Sequence, residues 1–382
     1  MCAEVPRQNQ TVKRLGLIVN PVAGLGGRVG LKGSDGLEIQ RKALEMGALP
    51  CAQDRALQAL QALGSLRMPL DLLTPPLEMG EYIARQSGFT PRVIGTIHSG
   101  FTTAADTRTA ALALLDSRVD LLLFAGGDGT ARDVYRAVGT QLPVLGIPAG
   151  VKIHSGVFAV NPRRAGELAR EYLQGKQPRL NEAEVIDLDE DSYRSGTIIT
   201  ALYGYLVVPY HRTLVQNQKA PTPVAEIVQM QAIAAALVES MQPDSLYILG
   251  PGTTTRAIAE RLGFPKTLVG VDVITLAGVV ALDVGEQQLM ELVGQHPAKI
   301  VVAPIGGQGF IFGRGNQPIS PCVIEHVGRE NILVVSNPAK LIALQGRPLL
   351  VDTGDSRVDD LLCGYIPVIT GYRDRTIYRI SR

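Results

Sequence analysis

Asp128 stands in the run Gly126-Gly127-Asp128-Gly129-Thr130, a single carboxylate set among three glycines and a threonine. Glycines there let the backbone take φ > 0 or let another group come close. Thr130 is placed to cap a helix, and a helix start presents free N–H groups that attract anions, phosphate above all. An acid at that place can hold a metal or accept a proton. A second such stretch opens at Asn20-Pro21 and carries Gly24, Gly26, Gly27, Gly30, Gly33 and Gly36. Ordering so many glycines costs conformational entropy, so they are expected to serve backbone geometry or close approach to a ligand rather than packing. A third, Gly250-Pro251-Gly252-Thr253-Thr254-Thr255, offers hydroxyl donors at another helix start, and reads equally as an anion cradle or as a capped turn with no ligand.

Each stretch follows an apolar run that reads as a buried strand: Leu15–Val19, Val119–Leu123 and Leu246–Leu249. Beyond Asp128, the residues Ala131, Val134, Tyr135 and Val138 fall at helical spacing, which turns Arg132, Asp133 and Arg136 outward. Helical patterns at 37–46, 55–63, 77–86, 104–115 and 162–174 alternate with strand-like runs at 70–73, 92–97 and 143–147. Such alternation implies right-handed βαβ units and a parallel sheet, whose ligands bind at the carboxyl ends of the strands. Both N-terminal glycine blocks sit at such ends.

At 382 residues two domains are expected, divided at Gly175-Lys176-Gln177-Pro178. The fold class is α/β: residues 1–176 form a doubly wound parallel-sheet nucleotide-binding domain, and residues 177–382 a mixed α/β domain. The second domain has a strand-rich start, because Glu184–Leu188 and Gly196–Val208 alternate and favour β-branched and aromatic residues. Later strands are expected at 271–274, 299–303, 332–335 and 349–351, with helices between them. Lys152 and His154, after the 143–147 strand, can neutralise and orient a phosphoryl group, or can be a solvated loop lysine and a backbone-bonded histidine. The basic segment with His211, Arg212 and Lys219 is either a cover for a phosphate-rich ligand or a plain linker. Asp35, Asp133, Asp352 and Asp355 read as turn or cap residues before they read as catalytic acids.

Other chemistries are excluded by pattern. No window supplies the Walker A spacing, and a strict GxGxxG fails because Val29 and Arg132 occupy the last glycine position of the two candidate windows. A formal net charge of +1 gives no argument for nucleic-acid or anionic-membrane binding. Cys2, Cys51, Cys322 and Cys363 are scattered without a CxxC, which fits reduced thiols in a cytoplasmic protein and argues against zinc. Met1–Lys13 is polar without a signal-like apolar region, and Val269–Val284 is too short and too charged to span a bilayer, so a cytoplasmic location is expected.

Gly126–Thr130 resembles the Gly-Gly-Asp-Gly-Thr signature of the NAD kinase, diacylglycerol kinase and sphingosine kinase superfamily, and Asn20–Gly24 resembles its Asn-Pro-x-Ser/Ala-Gly block. The chain resembles the bacterial predicted ATP-NAD kinases, a branch that includes proteins associated with acetoin catabolism genes. The resemblance covers residues 12–160. It implies a kinase that moves a phosphoryl group from ATP to a hydroxyl, chiefly the 2′-hydroxyl of NAD. A lipid or other small-alcohol kinase and a non-catalytic nucleotide sensor are the alternatives. Asp128 would be the catalytic acid, as base or metal ligand, with Mg²⁺ or another divalent cation bridging the phosphates. The phosphate-binding residues would be Asn20, Gly24, Gly26, Gly27, Gly126, Gly127, Gly129, Thr130 and Lys152, with Gly252, Thr253 and Thr254 from the third turn. Partners would be small nucleotides, with no nucleic acid or membrane, and family-wide such kinases often form homo-oligomers. The chain departs from the family at Lys152 and His154, which replace small and amide residues and remove the lipid-kinase Gly-Thr-x-Asn-Asp segment. Asn181-Glu182 echoes an Asn-Glu pair of NAD kinases, and Gly250–Thr255 is closer to the phosphate turn of sugar-phosphate isomerases than to the Thr-Pro-Thr-Gly-Ser turn. The helical alternation of the second half departs from their β-sandwich-like domain.

Overall fold

The computed structural model describes residues 12–31, 37–64, 69–100, 102–151, 153–175, 179–188, 200–210, 224–305 and 309–382. Asp35, Lys152, the basic segment 211–223 and Gly306-Gly307-Gln308 lie outside the described residues.

In chain order the first half holds β1 (Lys13–Val19), α1 (Leu37–Glu45), α2 (Ala52–Leu63), β2 (Leu70–Thr74), α3 (Glu81–Gln86), β3 (Arg92–Val93) and α4 (Ala104–Asp116). These are followed by β4 (Leu121–Gly126), α5 (Asp128–Val138), β5 (Val144–Pro148), α6 (Pro162–Leu173), β6 (Arg179–Leu188) and β7 (Thr200–Tyr210). Strands β1 to β5 form one parallel sheet in the order β3-β2-β1-β4-β5. Because side chains alternate along a strand, Leu15, Leu17, Val19, Leu121 and Leu123 pack with α2 and α6 on one face. Ile18, Leu122, Phe124 and Val144 pack with α4 and α5 on the other. The sheet is therefore doubly wound, and its order reverses between β1 and β4. At such a switch point the connecting loops leave to opposite faces and open a crevice for a ligand.

Two expectations are corrected here. Helix α5 starts at Asp128 with Gly127 as its N-cap, not at Thr130; the Thr130 hydroxyl is instead the acceptor for Asn20 across the crevice. Asp133 is buried and meets Arg108 of α4 at 2.7 Å rather than facing solvent. The β6–β7 hairpin, expected to open the second domain, inserts Val185, Leu206 and Val208 into the core beside α5.

The second half holds α7 (Val224–Glu239), β8 (Leu246–Leu249), α8 (Thr253–Arg261), β9 (Asp272–Ile274), β10 (Val279–Ala281), α9 (Glu286–Val293), β11 (Ala298–Val302) and β12 (Phe310–Phe312). It continues with α10 (Pro321–Val327), β13 (Ile332–Val335), α11 (Pro338–Ala343), β14 (Leu349–Val351), α12 (Ser356–Leu362), β15 (Gly364–Ile369) and β16 (Arg375–Ser381). Nine strands make a mixed sheet in the order β10-β9-β8-β11-β13-β15-β16-β14-β12, in which β8, β11, β13 and β15 run parallel. Helices α7 and α8 cover Tyr247, Leu249 and Val301 on one face, while α9 to α12 pack with Ile248, Ile300 and Val334 on the other. The β15–β16 hairpin was not expected from sequence: Pro367 interrupts its first strand, and the proline is tolerated there in an exposed position.

Candidate active site

The ends of β1 and β4 are stitched together. Asn20 donates its backbone N–H to Ala125 O at 2.9 Å and its side-chain amide to Thr130 Oγ1 at 2.9 Å, while its Oδ1 accepts from Val22 N at 3.2 Å. The two glycine blocks thus lie side by side at one edge of the sheet, at the switch point. The amides of residues 128–130 lie in the first turn of α5, where no intrahelical carbonyl reaches them. They point the positive end of the helix into the crevice. In the first block, Leu25 and Gly27 donate their N–H groups inside the turn, to Val22 and Gly24. They are not available to a ligand.

Gly24 takes the positive φ that only glycine adopts freely, and neighbouring loops come close to these glycines. A Cβ on Gly24, whose φ is +77°, would stand 2.0 Å from Ala149 O. One on Gly126 would stand 2.4 Å from the Thr130 side chain, and one on Gly127 would stand 3.2 Å from the Cα of Gly150. The close approach they permit is loop against loop: the β1, β4 and β5 bends are fitted to one another, and the crevice is shaped by that fit.

Asp128 is buried at the start of α5, 6% exposed. Its Oδ2 accepts the His154 N–H at 2.7 Å and its Oδ1 the Ser155 N–H at 3.0 Å. Burial pushes its pKa up to about 7, against the pull of the Ser155 and His154 hydrogen bonds, and the charge of Asp187 adds to the rise. His154 thus holds the acid through its backbone N–H. Ser155, which sequence reasoning missed, is fully buried and ties the same loop to the hairpin: its Oγ donates to Ile186 O at 2.8 Å and accepts from Ile186 N at 3.0 Å. Asp187 next to it pairs with Arg132 at 2.7 Å, and that guanidinium lies over the Tyr203 ring at 5.4 Å. Asn181 and Glu182 are exposed on β6.

The second domain closes over this edge. Glu286 N donates to Arg28 O at 3.0 Å, and Gly315 N and Gln317 Nε2 donate to Val151 O at 3.0 and 2.6 Å. Arg55 of α2 pairs with Asp352, which lies 3.4 Å from Arg314. All three are buried or nearly so. Sequence reading took Asp352 for a turn residue and gave no role to the two arginines; no local signal marks a pair 297 positions apart. Asp355 is the N-cap of α12, accepting from Arg357 N at 2.8 Å.

The third turn lies on the second sheet, and its own neighbour, the loop 268–271, is what approaches the first domain. Gly252 N donates to Leu268 O at 2.9 Å, and Val269 and Gly270 share a narrow crevice with Gly27 and Gly30. Thr255 is spent inside the turn on the carbonyls of Gly250 and Gly252, at 2.6 and 3.0 Å. Thr254 is fully buried, and among the described residues its Oγ1 has no hydrogen-bond partner. Among the described residues no group of three His, Cys, Asp or Glu side chains is placed to hold a metal ion, and no helix is long and apolar enough to cross a membrane.

A doubly wound domain with an acid at the N-terminus of the switch-point helix is the arrangement against which family models can be read. That of the ATP-NAD kinase N-terminal domain matches residues 15–177, and that of the ATP-NAD kinase C-terminal domain matches residues 243–380. The chain belongs to the ATP-NAD kinase family. Family membership extends past the 12–160 stretch that carried the resemblance and takes in the helical second domain. No curated protein and no solved structure matches the chain. At family level this ATP-NAD kinase relative is a nucleotide-binding kinase, a phosphotransferase acting on NAD-like substrates.

Proposed function

We propose that the protein phosphorylates the 2′-hydroxyl of NAD with ATP, giving NADP, and that Asp128 is the base that takes the hydroxyl proton. The observation that carries this reading is the Asp128 carboxyl itself. It sits at a switch point, at the positive end of a helix, with a pKa raised to about 7 by burial. A base poised near the working pH combines a usable ionised fraction with real proton affinity. Phosphoryl transfer otherwise asks mainly for positioning and charge neutralisation. The α5 amides, with Asn20 and Thr130 shaping the crevice between Gly24–Gly27 and Gly126–Gly129, supply the phosphate side. Gly252, Thr253 and Thr254 stand as the second domain's contribution to anion binding, supported by the unpartnered Thr254 hydroxyl. Lys152 is kept in the proposal on its place in the sequence alone.

The residues fit a divalent cation that arrives on the nucleotide, held by phosphate oxygens and water as Mg²⁺ usually is, better than one held in a protein cage. Such an ion would supply charge neutralisation at the phosphates. Purified protein incubated with ATP, Mg²⁺ and NAD is expected to form NADP, and Asp128→Ala to abolish it. NADP formation at the wild-type rate by Asp128→Ala would remove the base from the mechanism. ATP turnover only with a non-nucleotide alcohol would reassign the acceptor. A cytoplasmic location and a homo-oligomer belong to the same proposal.

A further inference from the structure

We infer that Arg314 is a positioning residue for the reaction: it seats the second-domain turn that holds the loop whose amides fix the Asp128 carboxylate. The inference rests on the kinase reading above for its consequence, and on the hydrogen bonds of segment 313–317 for its geometry.

The loop that donates to Asp128 is not held by the first domain alone. Past β5 it is tied at two carbonyls to the second-domain segment 313–317. Val151 O accepts from Gly315 N at 3.0 Å and from Gln317 Nε2 at 2.6 Å, and Val160 O accepts from Arg314 Nη2 at 3.0 Å. Between those carbonyls lie His154 and Ser155, the two N–H donors to Asp128. Segment 313–317 is itself prebuilt. Gly313 has a φ of +86° and lies so close to Asp352 O that a Cβ would stand 1.8 Å from it. Asn316, 1% exposed, accepts from Gly313 N at 3.0 Å and donates to Ile311 O at 2.8 Å.

Arg314 is 3% exposed, with its guanidinium over the Phe310 ring at 5.0 Å, and among the described residues its Nε has no hydrogen-bond partner. Asp352 stands 3.4 Å away and is shared with Arg55 of the first domain, so one carboxylate locks the arginine and both domains together. Burying a guanidinium is expensive, and an apolar side chain would fill the same space at lower cost. What an apolar side chain cannot do is hold a first-domain carbonyl and keep a positive charge in reach of Asp128. Burial lowers the Arg314 pKa to about 10, with Asp352 and Asp128 acting in the opposite sense and Arg55 in the same sense. The coupling is reciprocal, so the arginine favours the ionised form of Asp128, against Asp187 on the hairpin side.

The test compares Arg314→Met and Arg314→Lys with the wild type in three measurements. Hydrogen exchange of the His154 and Ser155 amides is expected to speed up at least about 10-fold in Arg314→Met, because local opening of the loop becomes easier. kcat is expected to fall about 10-fold or more with the KM for ATP within about twofold, the pattern of an interaction that matters in the transition state. The acid limb of the rate profile is expected to move to higher pH, because losing the positive charge raises the Asp128 pKa. Arg314→Lys, which keeps the charge, should hold the limb in place while recovering only part of kcat. Unchanged amide exchange in Arg314→Met overturns the inference, as does a lowered melting temperature with the acid limb and kcat unmoved, which would make the arginine a domain latch only. If the wild type phosphorylates no acceptor, the kinase reading fails, and the exchange measurement still decides whether Arg314 positions the loop. Arg314→Lys serves where Arg314→Met does not fold.

Discussion

Two buried acids stand at strand ends, one in each domain, and they are held in opposite ways. Asp272, wholly buried at the start of β9, accepts from Lys266 Nζ at 3.1 Å, from Thr267 N and Oγ1 at 2.8 and 2.9 Å, and from Asp283 N at 2.7 Å. Its charge is matched by a cation in direct contact, and its lone pairs are filled. Among the described residues Asp128 has two backbone N–H groups and no cation in contact, and burial brings its pKa to about 7. The first arrangement fixes a loop. The second keeps a carboxyl that can exchange its proton near neutral pH. The difference separates an acid that serves the fold from one suited to chemistry.

The sharpest way to break that contrast is to remove the cation. Lys266→Met leaves Asp272 buried and unpaired, and should cost about 3–5 kcal/mol in denaturant unfolding. A loss below about 1 kcal/mol would make the pair no more than a surface-like contact. The proton on Asp128 gives the next largest effect. Its carboxyl holds a proton up to about pH 7 in the folded state but releases it near 3.8 when unfolded. The stability this contributes is fully present below the unfolded value and is lost as pH rises through the folded one, by at most about 4 kcal/mol. Thermal unfolding from pH 5 to 8 should therefore show a decline in the wild type that flattens in Asp128→Asn; equal slopes would mean the carboxyl titrates normally.

A smaller effect is expected at the stitch between the two glycine blocks. Asn20→Ala removes the bond to Thr130 and the acceptor for Val22 N, and should cost about 1–2 kcal/mol while weakening ATP binding in calorimetry. Unchanged ATP affinity would detach the first block from the nucleotide site. The smallest effect belongs to Thr254. With no ligand to satisfy its hydroxyl, Thr254→Val should be neutral or stabilising by up to about 1 kcal/mol. A raised KM for the acceptor in the same variant would sharpen the case for an anion at the third turn, and an unchanged KM would leave that turn structural.

Much of this was legible in the sequence, for identifiable reasons. The strands β1, β4 and β5 announce themselves as apolar runs ending in Asn-Pro, Gly-Gly-Asp and Pro-Ala-Gly, and alternation with helices dictates a parallel sheet. Asp128 stood out because three glycines flank it in the sequence. What was hidden depends on distance along the chain. Ser155 looks like any loop serine until the hairpin folds back to offer Ile186. Arg55, Arg314 and Asp352 meet only when the two domains close, and each alone reads as a surface charge. The close approaches at Gly24 and Gly127 were hidden for the same reason: Ala149 O and Gly150 Cα, the chain atoms that meet them, come from another loop. That the β6–β7 hairpin packs Val185, Leu206 and Val208 beside α5 was hidden too, because alternation marks a half-buried strand without saying which surface it covers.

The most direct test of the account is the pH dependence of kcat/KM for NADP formation. A general base of pKa about 7 at Asp128 predicts a rate that rises with pH and levels off above an acid limb centred near 7, and this limb should vanish with the activity in Asp128→Asn. A rate independent of pH across that range, or the same limb persisting in an active Asp128→Asn variant, would contradict it.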